Sequence, residues 1–108
     1  MPTTVADVQR AVDALWPASG AEAWDAVGLV AGSPDDEVRR ILLAVDAVAA
    51  TVDEAVVANT DLLITHHPLL LRGVTSVAAD RYKGSMLTRL IRGNVALLTA
   101  HTNADVVE

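Results

Sequence analysis

A chain of 108 residues, 52% hydrophobic but only 3% aromatic and without Phe, has room for one core built from Ala, Val and Leu, and is shorter than chains that usually divide into domains. A formal net charge of −6, with no basic run longer than Arg39-Arg40, excludes the electrostatic footprint of a nucleic-acid or anionic-membrane binder, and a phosphate-bearing substrate needs metal ions to offset that field. No cysteine means no disulfide framework, thiolate metal site or thiol nucleophile; with no basic-then-apolar leader and no apolar run near the roughly 18 residues of a membrane span, the expected setting is soluble and cytoplasmic.

In chain order, "TTVADVQRAVDALW" spaces Val5, Val8, Val12 and Leu15 at helical intervals, with Thr3 or Thr4 as N-cap and Pro17 as the stop. In "WDAVGLVAGSPDDE" the segment 27–31 predicts a short strand, followed by turn chemistry at Gly32-Ser33-Pro34-Asp35. "RRILLAVD" predicts a buried strand ending at Asp46, and "AATVDEAVVANT" a helix with the capping-box pattern Thr51-x-x-Glu54. The strand "DLLIT" leads into His66-His67-Pro68. "PLLLRGVTSVAADR" is expected as an irregular loop, "YKGSMLTRLIRGN" as a helix closed by Gly93-Asn94, and "VALLTA" as a final strand before "HTNADVVE". This alternation predicts an α/β domain over residues 1–108: a mostly parallel sheet with helices packed on its faces in three layers.

In such a sheet the polar residues just beyond the carboxyl ends of the strands line one crevice. Asp46 closes one predicted strand, His66-His67 the next, and His101 with Asp105 the last, so the chain's three histidines share one rim. A His-His pair standing alone is usually a polar loop start; its coincidence with His101-x-x-x-Asp105 favours a site. Adjacent strand residues point to opposite faces, so His66 and His67 are expected to serve two ions about 3.5 to 4 Å apart rather than chelate one. Pro68 biases His67 toward extended geometry and removes a donor, taking the chain out of the sheet there. A carboxylate such as Asp105 completes a mixed N/O shell suited to Zn, Mn or Fe. Asp46 is read as a cap for the following helix, Thr102 and Asn103 as turn formers, and Trp16 and Trp24 as packing residues.

The stretches "WDAVGLVAG", "DEAVVANTDLLITHHPLLL", "YKGSMLTRLI" and "VALLTAHTNAD", in that order over most of the chain, resemble the GTP cyclohydrolase I type 2-like proteins, the NGG-interacting factor 3-like family. The resemblance implies that His66, His67 and Asp105 are ligands of a dinuclear metal centre, that His101 stands beside it, and that the complete protein holds two divalent ions. It also implies an α/β fold, ring-shaped hexamers and hydrolytic opening of the GTP base. Two departures stand out: Ala26 replaces the Asn that commonly follows the Trp-Asp pair, and the family's late His-x-x-x-Glu has no counterpart here, so the chain resembles the N-terminal part of a longer member.

The expected function is therefore the dinuclear-metal-binding domain of a metal-dependent hydrolase with a nucleotide substrate, the paired ions acidifying a water and polarising the substrate. His101 is the expected catalytic proton carrier, given an imidazole pKa near 6.5. Alone, the 108-residue chain is expected to be inactive and to self-associate through apolar surface buried in a complete homo-oligomer. The competing reading is a non-catalytic metal-binding or protein-interaction module of the same fold.

Overall fold

The structure, a computed structural model, describes residues 2–21, 27–71 and 74–101. Helix α1, Val5–Leu15, starts where the spacing places it. Thr4 is the N-cap: its hydroxyl accepts from the Asp7 N–H at 3.3 Å while the Asp7 carboxylate accepts from the Thr4 N–H at 2.9 Å. The next two amides, of Val5 and Ala6, donate to the carbonyls of Asp36 and Pro34, so the turn after β1 (Gly28–Ala31) satisfies donors that a helix start leaves unpaired. Gly32 makes that turn possible, because its φ is +98° and a Cβ there would lie 2.6 Å from the Cβ of Ala96.

The remaining elements are β2 (Ile41–Ala44), α2 (Ala49–Val57), β3 (Leu62–Thr65), α3 (Tyr82–Arg92) and β4 (Ala96–Thr99), with a short 3-10 turn at Ala18–Gly20. The strands form one mixed sheet in the order β1-β4-β3-β2. β2, β3 and β4 run parallel, as their apolar runs predict, and β1 pairs antiparallel with β4. The segment 68–81, as far as it is described, has no helix or strand, as expected.

The core lies on both faces of the sheet because alternate strand residues face opposite ways. Leu62, Ala96 and Leu98 pack with Val5, Val8 and Val12 of α1. Leu63 and Leu97 pack with Val52 and Ala55 of α2 and with Met86, Leu87 and Leu90 of α3. Leu62, Leu63, Leu97 and Leu98 are fully buried; truncating one to Ala removes roughly 2–5 kcal/mol through lost transfer energy and the cavity left behind. An Ala/Val/Leu core without Phe thus closes two interfaces at once.

Two local expectations are corrected. β2 is only half buried: it lies at the sheet edge, with Leu42 and Ala44 packed on the core, while Ile41 and Leu43, 47% and 73% exposed, stand on the opposite face outside the cluster that packs on α1. Thr51 is not an N-cap. The cap lies three residues earlier: Val48 occupies it, α2 begins at Ala49, and the Thr51 hydroxyl accepts from the Val48 N–H at 3.0 Å. α3 closes at Gly93-Asn94 as expected, with Gly93 as the C-cap at φ −84° and Asn94 taking the left-handed turn at φ 56°.

Candidate metal centre

The site is built by strand register. β2 pairs with β3 at an offset of 21, ending Ala44↔Thr65, and β3 pairs with β4 at an offset of 34, ending Thr65↔Thr99. Continued two residues past the strand ends, the same offsets set Asp46 beside His67 and His67 beside His101. The three parallel strands therefore deliver their polar ends to one row.

Beyond Thr65 the chain stops behaving as a straight strand. The His66 N–H donates to the Ala44 carbonyl at 3.2 Å and the His67 N–H to the Val45 carbonyl at 2.8 Å. In an extended strand successive amides point to opposite edges; here both turn toward β2. The buried Thr65 hydroxyl fixes the bend by donating to the His67 carbonyl at 3.0 Å. The chain leaves straight-strand geometry here, in which the two rings would face apart. The ring centroids of His66 and His67 are 5.2 Å apart, and those of His101 are 5.2 Å from His66 and 5.5 Å from His67. One ligand nitrogen from each ring lies within 4.8 Å of the others.

Two of the rings are oriented by backbone or carboxylate. His66 Nδ1 lies 2.9 Å from the Ala100 carbonyl oxygen, which can only accept, so Nδ1 is the donor and, in the neutral ring, Nε2 is the nitrogen with the lone pair. His67 Nδ1 lies 2.5 Å from Asp46 Oδ1, and the carboxylate imposes the same assignment. Asp46 is therefore not the cap of α2 expected from its position. Sequence reasoning missed this role because a cap is a local signal and this contact spans 21 residues; the signal was the alignment of "LLAVD" with "LITHH" at that offset. A carbonyl or carboxylate behind a ligating imidazole is the usual way proteins orient it and raise its basicity. His66, His67 and His101 thus fit a divalent ion by donor chemistry as well as by proximity. Asp105, the expected carboxylate ligand, lies outside the described residues, as do Thr102, Asn103, Glu108, Trp24 and Ala26.

An apolar hollow of about 360 Å³ opens beside the cluster, lined by Trp16, Leu43, Ile64, Thr65, His66 and Ala100. Another of the same volume, between α1 and β1, is lined by residues such as Gln9, Arg10, Asp13 and Trp16. Among the described residues it gathers no group of three metal-ligating side chains, and the one such group stands at the strand ends.

The family description "Duf34/NIF3 (NGG1p interacting factor 3)" matches residues 3–108. A Streptomyces coelicolor protein named GTP cyclohydrolase 1 type 2 homolog is 58% identical over 96% of this chain and 36% of its own length. A Mycobacterium tuberculosis protein of the same name is 51% identical over 97% of this chain and 27% of its own. The crystal structure of a Staphylococcus aureus hypothetical protein superposes with a TM-score of 0.93 at 39% identity, covering 99% of this chain and 35% of that one. The chain spans about a third of the length of the relatives it matches.

Proposed function

From the premise that the chain belongs to the Duf34/NIF3 (NGG1p interacting factor 3) family, we propose that it is the metal-holding domain of a metal-dependent hydrolase with a nucleotide substrate. The observation that carries this reading is the pair of oriented imidazoles. His66 is held through Nδ1 by the Ala100 carbonyl and His67 by Asp46, and both stand against His101. The names of the relatives, GTP cyclohydrolase 1 type 2 homolog, point to GTP as the first substrate to test.

His66, His67 and Asp105 are the proposed ligands of a two-ion centre of Zn, Mn or Fe, in an assembly of several copies in the cytoplasm. When bound, such ions supply Lewis acidity and activate water near neutral pH. The chain's own contribution is positional. The Ala100 carbonyl and Asp46 fix the two tautomers, and the Thr65 hydroxyl fixes the bend that brings the rings together. The apolar hollow beside His66 offers a water-poor wall for the uncharged part of a substrate. The convergence of His101 with the other two rings favours a ligand role for it over the proton-carrying role expected from sequence.

Calorimetric titration of the chain with Mn²⁺ and Zn²⁺ tests the reading. Saturable binding that weakens in His67→Ala supports it, and equal affinity in wild type and variant sinks the ligand assignment. Turnover of GTP by a full-length relative, lost in the variant equivalent to His67→Ala, separates the enzyme from a non-catalytic binding module.

A further inference from the structure

The outer side of β2 is the edge of the sheet, and among the described residues no strand pairs with it. On its inner side the Arg40 carbonyl accepts from the Asp61 and Leu62 amides and the Ala44 carbonyl from the His66 amide. By strand alternation the N–H and C=O groups of Ile41 and Leu43 therefore point outward. Such an edge is a ready template for another strand, and proteins commonly block it with Lys, Pro or a bulge. The stretch 41–45, Ile-Leu-Leu-Ala-Val, contains no charge and no Pro, and Ile41, Leu43 and Val45 are 47%, 73% and 59% exposed. Charges flank it at both ends, and their signs are opposite: Arg39-Arg40 before and Asp46 after.

We propose that this edge is a self-complementary interface at which a second copy of the chain adds antiparallel, across a two-fold axis at Leu43. Isologous pairing requires the edge to match itself reversed, and the sequence does. With Leu43 opposite the partner's Leu43, Ile41 meets the partner's Val45, joining the two exposed apolar rows on one face. Arg40 meets the partner's Asp46 on the other face. The outward amides and carbonyls of residue 43 in each copy face one another as a hydrogen-bonded pair. Of the other registers that keep outward groups facing, those centred on residues 41, 42 and 44 lose the Arg40–Asp46 match, and one centred on 45 also needs the Val45 carbonyl, which already accepts from the His67 N–H. Charge complementarity thus selects both the occupant and the register. One Arg40 donor already reaches the Ala58 carbonyl at 2.9 Å, and the guanidinium has further N–H groups for a carboxylate. Because Asp46 also holds His67, the partner's Arg40 would brace the carboxylate that orients a candidate ligand.

Five residues of edge make a small interface, so the association is weak and concentration-dependent, and cross-linking reads it better than an equilibrium profile alone. The chain has no cysteine, which leaves a single introduced thiol unambiguous. Leu43→Cys, on the axis, should form cross-linked dimer under mild oxidation or with a short dithiol-reactive linker at least about tenfold faster than Val57→Cys, an 82% exposed position on α2. Adding Arg40→Asp to Leu43→Cys should slow the cross-link, because like charges then meet across the pair, and adding Asp46→Arg as well should restore it. Equal rates at positions 43 and 57 would overturn the proposal and leave the edge to another occupant, such as further residues of a longer chain. A rate unmoved by charge reversal would overturn the register.

Discussion

At the amino-terminal end of β3, the Asp61 carboxylate accepts hydrogen bonds from the backbone N–H groups of Arg39 and Arg40 at 2.8 and 3.0 Å. At the carboxyl end of β2, the Asp46 carboxylate accepts one from the His67 ring at 2.5 Å. Both carboxylates join β2 to β3, and both contacts span about the same length of chain. They differ in what lies beyond the bond. The amides held by Asp61 are end points, whereas the ring held by Asp46 has a second nitrogen whose lone pair the bond leaves available. One end of the sheet is a clamp and the other passes orientation on to a ligand atom. The same residue type in similar positions thus does structural work at one end and prepares chemistry at the other.

The comparison is broken most severely by removing a ligand. His66→Ala should lower affinity for Zn²⁺ by more than about 100-fold, exceeding the effect expected for an outer partner, while leaving the fold intact, as checked by calorimetry and circular dichroism. Asp46→Asn should lower the same affinity by about 10- to 100-fold and leave the midpoint of denaturant unfolding nearly in place. Asp61→Ala should do the reverse: metal affinity unchanged and stability reduced by about 2 kcal/mol, since two backbone donors lose their acceptor, a shift that urea unfolding reads directly. If Asp46→Asn and Asp61→Ala behaved alike in both measurements, the distinction between the two ends would fail.

The smallest expected effect lies at the start of α1. The Asp7 carboxyl is held below the ordinary carboxylate value, first by the Thr4 backbone N–H, then by the Thr4 hydroxyl contact and, in the same direction, by Arg10; its slight burial opposes them. A carboxyl whose folded pKa is depressed contributes stability above its unfolded value, near 3.9, and loses that contribution as pH falls through the folded value. The stability difference between wild type and Asp7→Asn should therefore be present at neutral pH and shrink below roughly pH 4. A difference that stays constant into acid would rule out the capping carboxylate as its source.

Much of the fold was legible because it is written in short periods. Val5, Val8 and Val12 mark α1, and the uncharged runs at 41–45, 62–64 and 95–98 mark three parallel strands. The rim of histidines followed from those strand ends. What stayed hidden depends on register or on neighbours. The role of Asp46 needed the β2–β3 offset, and the bend at His66 and His67 needed two consecutive carbonyls of a neighbouring strand. The exposure of β2 could not be read from an apolar run, since edge and centre are properties of strand order. The antiparallel sense of β1 was likewise not written in Gly28–Ala31. Asp105 was placed by motif, and the described residues end before it.

Gly84 sits inside α3 with ordinary helical geometry, yet a Cβ there would lie 2.0 Å from the Ala78 carbonyl oxygen and 2.7 Å from that of Val77. The glycine thus forgoes about 1 kcal/mol of helix propensity so that the irregular segment before the helix can lie directly on it. That segment is further tied by the Arg81 N–H to the Ala78 carbonyl at 3.0 Å and by the Ala78 N–H to the Ser76 hydroxyl at 3.2 Å. In amide hydrogen exchange, residues 76–81 should consequently open together with the first turn of α3, as one cooperative unit. A loop seated in this way travels with its helix and is not an independent lid over the histidines.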